Sequence, residues 1–507
     1  MLSSEEVALW NAYSRNLLNG FGLKISRMQE LEIKPARTMP KDLELLLGQK
    51  ASLAAALPAV ALALKGRGDL LPFPSDQQKA LKTQYKEAAD LRAAATELEV
   101  FNSIVEENAN VAFLVRIGEG GGEAGRRKPG EGLNASLYPG QLIVNRHYLG
   151  KTVEELVRQG VKVYRIATDP IDGTTKTVMD EHSALTSVLI VDGEIQSIPD
   201  VYMEKLMVGE AAANSGLDTG ESLDRIVQGL SDCHKLPPSG IGVFELERGR
   251  HPTQQYLDLG VCVIVDTDGD LLPGVAPSIR PGVYENGQPM TAMAGTIGGA
   301  PEFVIAGATN FWVGGASHGR FVSAAGIKKG WEGRLDFTPE EFAVITGAGF
   351  SDKNYQISAL VDLKDGVAAF GGITSNKHFP QLKGVFIGEN FAEVAVITVG
   401  ASGRVTKRHF LFTFMEPRER MIEYFSPVSE VLMHCDVKDI RGEIRKILED
   451  EHRAERLHRE IGLSLYQVFD INNGMFAVNN DKLNELGDER TREIINNLMN
   501  LRPDWFV

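Results

Sequence analysis

Two carboxylates, Asp169 and Asp172, stand three positions apart in the segment 169–175, which has the sequence DPIDGTT. An apolar run directly before this segment predicts a buried strand, so both acids leave the end of the same strand. Gly173 permits a sharp turn there. Hard cations such as Mg²⁺ and Mn²⁺ take oxygen ligands of this kind, often beside substrate phosphates, and the following backbone N–H groups can receive a phosphate. The segment therefore predicts a metal-assisted phosphate site, although a helix cap and a plain turn would use the same residue types.

Three further acids occupy positions that favour ligand binding. Glu119 follows an apolar strand and is flanked by two glycines, which allow a ligand to approach the backbone closely. Asp90 lies in an alanine-rich helical segment, and Glu302 follows the sequence GGAP. Each also has an ordinary structural interpretation, namely a turn glutamate, a solvated helical aspartate and an acid in the first turn of a helix.

These residues need a framework of strands and helices to bring them together. Apolar runs and helix-favouring runs alternate along the chain, which predicts an α/β fold with mixed sheets. The predicted strands are 110–117, 161–167, 183–191, 260–265 and 391–399, and the predicted helices include 81–105 and 153–159. Residues 1–49 look helical. Apolar residues recur at helical spacing between Ile440 and Ile461, which predicts an amphipathic helix that needs a partner surface.

Charge and composition exclude several classes of function. The chain has 507 residues and a formal net charge of −15, which argues against a general binder of nucleic acid or of anionic membranes. Its three cysteines, Cys233, Cys262 and Cys435, form no CxxC pair and are too few for a disulfide scaffold, so we expect a reducing cytoplasm.

No secretory or membrane-spanning segment is expected. Glu5 and Glu6 argue against a signal peptide. The longest apolar run, Ala51–Leu64, is too short to cross a bilayer and contains Pro58, so it predicts a core helix.

Seven short motifs occur in an order that resembles a known family. They are KEAAD (86–90), IGEG (117–120), DPIDGTT (169–175), DVYMEK (200–205), RGRH (248–251), DGD (268–270) and GGAPE (298–302). Together they resemble class II, GlpX-type fructose-1,6-bisphosphatases, which belong to the lithium-sensitive sugar phosphatase superfamily. The resemblance runs from about Gly66 to about Phe414 and implies a layered α/β/α/β/α sugar-phosphatase fold, here with helical N- and C-terminal extensions.

The resemblance also implies roles for individual residues. It implies two Mg²⁺ or Mn²⁺ ions, with ligands at Asp90, Glu119, Asp169, Asp172 and Glu302. It implies substrate contacts at Asp172, Gly173, Thr174, Tyr202, Arg248, Arg250, Asp268, Gly269, Asp270 and Gly299. Two such ions polarise a phosphate and lower the pKa of a bound water. Paired guanidinium hydrogen bonds suit a second, non-reacting phosphate. The implied catalytic residues are Asp169, Thr174 and Glu123. Thr174 would relay a proton from the bound water, and Glu123 is the candidate acceptor of that proton.

The expected activity is hydrolysis of the 1-phosphate of fructose 1,6-bisphosphate, or of a close sugar bisphosphate, in carbohydrate metabolism. We expect a cytoplasmic homo-oligomer, a dimer or a tetramer, that acts on a small sugar phosphate and not on nucleic acid or membrane. The expected domains are a helical extension (1–49), a metal-binding half (50–240), a substrate-binding half (241–413) and a helical extension (414–507). The chain departs from the family where Asp172 replaces a common Glu and where Gly121 replaces an acid.

Two other functions remain open. The strand before Asp266 and the sequence DTDGD (266–270) imitate the nucleophile motif of haloacid-dehalogenase-type phosphatases, with Asp266 as nucleophile and Asp268 as general acid. Alternatively, the chain is a retired phosphatase that acts as a scaffold or sensor. Retention of all the implied ligands argues against that function, because converging carboxylates repel each other in an empty site.

Overall fold

The computed structural model describes residues 3–118, 137–199, 201–246, 253–279, 290–329, 335–377 and 379–425, together with the backbone of 469–472 and 475–478. Two mixed β-sheets, the helices packed on them and a separate two-stranded hairpin make up this part of the chain. The α/β class with mixed sheets that the sequence predicts is confirmed.

The larger sheet contains nine strands. They are β1 (Leu23–Lys34), β2 (Val111–Ile117), β3 (Leu142–Ile143), β4 (Lys162–Asp172), β5 (Leu185–Val191), β12 (Gly366–Gly372), β13 (Phe386–Ile387), β14 (Phe391–Gly400) and β15 (Val405–Phe414). Their order is β1-β15-β14-β12-β5-β4-β2-β3, with β13 paired to β14. β4, which carries both acids of the DPIDGTT segment, lies inside the sheet, parallel to β2 and antiparallel to β5.

The smaller sheet contains six strands. They are β6 (Tyr202–Val208), β7 (Gly242–Leu246), β8 (Cys262–Asp266), β9 (Ala292–Gly299), β10 (Ala316–Phe321) and β11 (Tyr355–Gln356). Their order is β11-β10-β6-β9-β7-β8, and β7 runs parallel to both β8 and β9. β8 and β9 therefore end at the same edge of the sheet, which brings the DGD and GGAPE motifs near each other.

Helices cover both sheets and fill the space between them. They are α1 (Ser4–Tyr13), α2 (Arg15–Gly20), α3 (Asp42–Leu64), α4 (Ser75–Glu107), α5 (Val153–Arg158), α6 (Thr174–Val178), α7 (Leu223–His234), α8 (Thr253–Asp258), α9 (Leu271–Ile279), α10 (Ala300–Trp312), α11 (Ala324–Lys329), α12 (Pro339–Gly347) and α13 (Arg418–Phe425). α3 and α4 pack on the outer face of the larger sheet, α9 and α10 lie between the sheets, and α7 and α8 cover the far face of the smaller sheet. The layers follow the predicted α/β/α/β/α order.

α3 contains the apolar run that the sequence assigns to a core helix. Within the described residues it is the one helix that is long and apolar enough to cross a membrane. However, 83% of its most apolar window is buried inside the structure. Its alanines and leucines pack in the core formed with the larger sheet, as expected of a helix at the centre of a folded domain.

The prediction of a wholly helical N-terminal extension is wrong for Leu23–Lys34. This segment is strand β1, which pairs antiparallel with β15 at the edge of the larger sheet. Leu23, Ile25 and Met28 are buried, and the pairing register shifts between Ile25 and Arg27. This bulge moves the buried face by one position, so the regular alternation that marks a strand is missing from the sequence.

The C-terminal extension is also not wholly helical. After α13, the strands β16 (Phe469–Asn472) and β17 (Met475–Val478) form an antiparallel hairpin. The sequence Asn473-Gly474 between them is a strong hairpin signal, because both residue types tolerate the positive φ of a tight turn. The predicted amphipathic helix between Ile440 and Ile461 lies outside the described residues. The division of the chain into four domains stays a prediction.

Candidate active site

The centre of the site is the end of β4, where the strand gives way to α6. The pairing of β4 with β5 is interrupted between Asp169 and Asp172, so the strand opens where its two acids lie. Asp169 is half-buried, and its Oδ1 accepts a hydrogen bond from the N–H of Ile171 at 3.2 Å. Asp172 is buried. Gly173 then takes a φ of +88°, a left-handed conformation that other residues rarely adopt, and α6 begins.

Thr174 joins this turn to the helix α4. Its Oγ1 donates a hydrogen bond to Oδ1 of Asp90 at 3.0 Å, and the same Oγ1 lies 3.4 Å from the carbonyl oxygen of Ile171. Asp90 and Thr174 are therefore in direct contact, although 84 positions separate them in the sequence. A hydroxyl hydrogen-bonded to a carboxylate is well placed to pass on a proton.

Asp172 faces the loop that follows β8. Its Oδ2 accepts a hydrogen bond from the N–H of Leu271, the first residue of α9, at 3.1 Å. Gly269 lies against the same carboxylate, since a Cβ added to Gly269 would be 3.4 Å from both Asp172 oxygens. The DPIDGTT turn of the larger sheet thus contacts the DGD loop of the smaller sheet.

The carboxylates in this region share one electrostatic environment. Burial raises the pKa of Asp172 well above its usual value, and the negative charges of Asp270, Asp268 and Glu302 raise it further. The hydrogen bond from the N–H of Leu271 acts in the opposite direction. The structure therefore brings together acids from β4, from the loop after β8 and from the start of α10.

Two glycines at the end of β9 let these acids approach the backbone. A Cβ on Gly298 would lie 2.0 Å from Oδ2 of Asp270, and a Cβ on Gly299 would lie 2.0 Å from Oε2 of Glu302. No side chain fits at either position without displacing a carboxylate. Tyr202 is paired with Gly299 across the sheet, which places it at the same edge.

Two buried lysines hold the ends of the DGD loop, and the sequence analysis assigned neither of them a role. Nζ of Lys205, on β6, lies 2.6 Å from Oδ2 of Asp270, and both side chains are almost fully buried. Nζ of Lys176, on α6, lies 2.7 Å from Oδ1 of Asp266. Lys205 belongs to the DVYMEK motif, and Lys176 comes two positions after Thr174. Proximity to a motif is therefore the sequence feature that could have identified both lysines.

A buried glutamate on α4 was also missed. The hydroxyl of Thr168 lies 2.8 Å and 2.7 Å from the two carboxylate oxygens of Glu97, and it also lies 2.9 Å from the carbonyl oxygen of Ser187. Thr168 directly precedes Asp169. This contact therefore supports the end of β4 from the helical layer, next to the predicted ligand Asp169.

Four predicted site residues lie outside the described residues: Glu119, Glu123, Arg248 and Arg250. Their predicted roles as ligand, proton acceptor and phosphate-binding cations stay predictions. The other predicted residues all lie at the facing ends of β4, β6, β8 and β9 or at the starts of the helices that follow, apart from Asp90, which α4 supplies.

The donor chemistry of the site fits a hard cation. All the predicted ligands are carboxylates, and the mutual repulsion that raises the pKa of Asp172 is what a bound cation would relieve. Within the described ranges, no three His, Cys, Asp or Glu side chains form a group tight enough to hold an ion. The described carboxylates alone therefore do not complete a cage, and the predicted ligand Glu119 lies outside them.

A cavity of about 1230 Å³ lies elsewhere in the fold, near the end of α10 opposite to Glu302. Arg37, Phe311, Trp312 and Leu360 are among its lining residues, and no predicted site residue lines it. We place the candidate site at the carboxylate cluster because the predicted site residues converge there and none of them lines this cavity.

About half of this chain is similar to known proteins. The family model described as bacterial fructose-1,6-bisphosphatase, glpX-encoded, matches residues 144–410, slightly more than half of the sequence. A "Fructose-1,6-bisphosphatase 1 class 2" of Escherichia coli is 28% identical over 247 residues, which cover 48% of this chain and 70% of the relative. A "Fructose-1,6-bisphosphatase class 2" of Haemophilus influenzae is 29% identical over 267 residues, 50% of this chain and 75% of the relative.

A Synechococcus protein named "D-fructose 1,6-bisphosphatase class 2/sedoheptulose 1,7-bisphosphatase" is 28% identical over 244 residues, 46% of this chain and 69% of the relative. The range matched by the family model contains Asp169, Asp172, the DGD loop and Glu302, whereas Asp90 and Glu119 precede it.

Proposed function

Because this chain belongs to the bacterial, glpX-encoded fructose-1,6-bisphosphatase family, it is a phosphoric monoester hydrolase, and we propose that it removes the 1-phosphate of fructose 1,6-bisphosphate or of a closely related sugar bisphosphate. The observation that carries this proposal is the contact between the DPIDGTT turn, Asp90 and the DGD loop. A phosphate-binding turn beside a loop that carries several carboxylates suits a substrate that is both a phosphate ester and a sugar.

Divalent cations are part of the proposal. Asp90, Glu119, Asp169, Asp172 and Glu302 would hold two Mg²⁺ or Mn²⁺ ions. Bound there, these ions would polarise the phosphate and lower the pKa of a bound water. The all-oxygen donor set supports this choice of metal over softer ones.

Thr174 and Asp90 form the proton-transfer pair in our proposal. Thr174 Oγ1 orients the attacking water, takes its proton and passes its own proton to Oδ1 of Asp90, to which it already donates at 3.0 Å. Glu123, the acceptor predicted from the sequence, stays a second candidate for this proton.

Residues of the DGD loop would bind the sugar, and two arginines would bind the second phosphate. Asp268 and Asp270 would accept hydrogen bonds from sugar hydroxyls, and Lys205 keeps Asp270 in place for this purpose. Arg248 and Arg250 would hold the non-reacting phosphate, because a guanidinium can grip phosphate with paired hydrogen bonds.

The haloacid-dehalogenase-type mechanism is the second candidate, with Asp266 as a covalent nucleophile. The ion pair of Asp266 with Lys176 is compatible with either mechanism, so paired variants are needed. In the metal-water mechanism, Asp169→Asn abolishes turnover and Asp266→Asn retains it. The reverse outcome would favour the covalent mechanism.

The test of function is a phosphate-release assay of the purified protein, with and without Mn²⁺, over a panel of sugar monophosphates and bisphosphates. We expect release from fructose 1,6-bisphosphate or a close bisphosphate, and only with the metal. Failure to release phosphate from any substrate would favour a scaffold or sensor role.

The proposal extends to location and assembly. Since the relatives are bacterial metabolic enzymes, we propose that the chain works in the cytoplasm. We also propose that it forms a dimer or a tetramer, as expected from the sequence. Light scattering of the purified protein measures the number of subunits directly.

A further inference from the structure

The ion pair between Lys176 and Asp266 has no role in the proposed chemistry, yet it lies at the junction of the two sheets. The side chain of Lys176 is 2% exposed and that of Asp266 is 18% exposed. Oδ1 of Asp266, which faces Nζ of Lys176 at 2.7 Å, also accepts the N–H of Thr267 at 2.8 Å. The lysine therefore fixes both the carboxylate and the backbone that follows it.

The stem of Lys176 packs against the phosphate-binding turn at its other end. A Cβ added to Gly173 would lie 3.4 Å from Cδ of Lys176 and 3.7 Å from its Cβ. The side chain thus spans from the turn after β4, in the larger sheet, to the end of β8, in the smaller sheet.

A second contact ties the same two segments together. The N–H of Leu271 donates to Asp172 at 3.1 Å. Asp266 stands at the start of the DGD loop and Leu271 at its end, so the two ties enclose Asp268 and Asp270. The position of the DGD loop relative to the DPIDGTT turn is therefore set at both ends of the loop.

A buried ion pair is weak evidence for added stability, because the cost of removing both charges from water offsets most of their attraction. In some proteins such a pair instead fixes the relative position of the segments that carry the two charges. Lys176, on α6, and Asp266, at the end of β8, join segments that follow or end strands of the two different sheets.

We propose that the Lys176–Asp266 pair is a positioning strut, a contact that sets the separation between the phosphate-binding DPIDGTT turn and the sugar-binding DGD loop. This separation makes the enzyme prefer sugar phosphates over phosphate esters without a sugar. The selectivity part of this inference rests on the proposed function. Neither residue touches the substrate; both act through the loop that does.

The kinetic test compares two substrates in the same variant. p-Nitrophenyl phosphate offers a phosphate ester but no sugar hydroxyl for Asp268 or Asp270. We expect the ratio of kcat/KM for fructose 1,6-bisphosphate to kcat/KM for p-nitrophenyl phosphate to fall about tenfold in Lys176→Met, mainly through a higher KM for the sugar substrate. Lys176→Arg, which keeps the charge, is the matched control and should stay within about threefold of the wild-type ratio.

A double-mutant cycle decides whether the two residues act as one unit. Asp266→Asn alone should lower the ratio about tenfold, and the double variant Lys176→Met/Asp266→Asn should be no worse than either single variant. A double variant with about a hundredfold loss would show that the residues act independently, which overturns the strut. Since Asp266 is partly exposed, its variant remains informative if Lys176→Met does not fold.

Hydrogen exchange tests the strut without relying on activity. Exchange of the amides in 266–271 should be faster in both single variants than in the wild type, while the β14–β15 hairpin, 391–414, should exchange as before. Unchanged exchange in 266–271 together with an unchanged substrate ratio overturns the proposal. If the wild type does not hydrolyse fructose 1,6-bisphosphate, the proposed function fails, and the exchange comparison still decides whether the strut exists.

Discussion

Replacing Lys205 with methionine removes one partner of the most deeply buried ion pair at the candidate site. Nζ of Lys205 lies 2.6 Å from Oδ2 of Asp270, and the two side chains are 1% and 3% exposed. Gly298 packs against both groups, since a Cβ there would lie 2.0 Å from the carboxylate and 2.8 Å from the ammonium. Methionine fills a similar volume but leaves the carboxylate without its cation.

The size of the effect follows from the geometry. At 2.6 Å and an effective dielectric constant of about 20, the direct attraction is about 6 kcal/mol. Part of this attraction is offset by the cost of burying the lysine, which the variant no longer bears. Removing one partner of such a pair usually costs about 3–5 kcal/mol, and we expect Lys205→Met to lower the free energy of unfolding by that amount.

Urea denaturation followed by circular dichroism measures this loss. The double variant Lys205→Met/Asp270→Leu is the matched control, because replacing both charges with apolar groups is often close to neutral. It should regain most of the stability that Lys205→Met loses. The reasoning is refuted if Lys205→Met stays within about 1 kcal/mol of the wild type, or if the double variant is less stable than the single one.

Three further predictions concern other residues of the fold. Thr174→Val should lower kcat about a hundredfold because it removes the hydroxyl that relays the proton, whereas Thr174→Ser should retain most of it; equal losses in steady-state kinetics would contradict a proton relay. Gly299→Ala should raise the Mn²⁺ concentration for half-maximal activity, since its Cβ would lie 2.0 Å from Oε2 of Glu302, while Gly347→Ala, which meets nothing within 4 Å, should not. Burial raises the pKa of Glu245 to about 7. Between about pH 4.5 and about pH 7 the native state therefore holds a proton that the unfolded state releases. The free energy of unfolding should fall as the pH rises through this range, by up to about 3 kcal/mol. Glu245→Gln should reduce this slope in unfolding measured across that pH range, and an unchanged slope would exclude Glu245 as a source of it.

The predictable part of the site is the part with local sequence signals. An apolar run followed by acids and a glycine gave the end of β4 and the turn at Gly173, and β4 and α6 are found there. Asp90 was placed on a helix, and the structure sets it on α4. In each of these cases the strand, turn or helix is specified by neighbouring residues, so a pattern of a few positions was sufficient.

Pairings between distant segments could not be predicted in this way. Lys205 and Asp270 are 65 positions apart, and Thr168 and Glu97 are 71 apart. Each pair depends on strand order or on how a helix packs on a sheet, and a single sequence does not contain that information. Strand β1 was missed for a different reason, because its bulge breaks the alternation that identifies a strand.

The central claim is that this chain hydrolyses the 1-phosphate of fructose 1,6-bisphosphate with metal-activated water. Phosphorus NMR of that substrate, incubated with the purified protein and Mg²⁺, tests the claim most directly, since it resolves the two phosphates. We predict loss of the 1-phosphate signal, appearance of inorganic phosphate and retention of the 6-phosphate signal, with no reaction after Mg²⁺ is chelated or in the Asp169→Asn variant. Hydrolysis without the metal, full activity of Asp169→Asn, or an intact substrate in the presence of the wild-type protein would contradict the account.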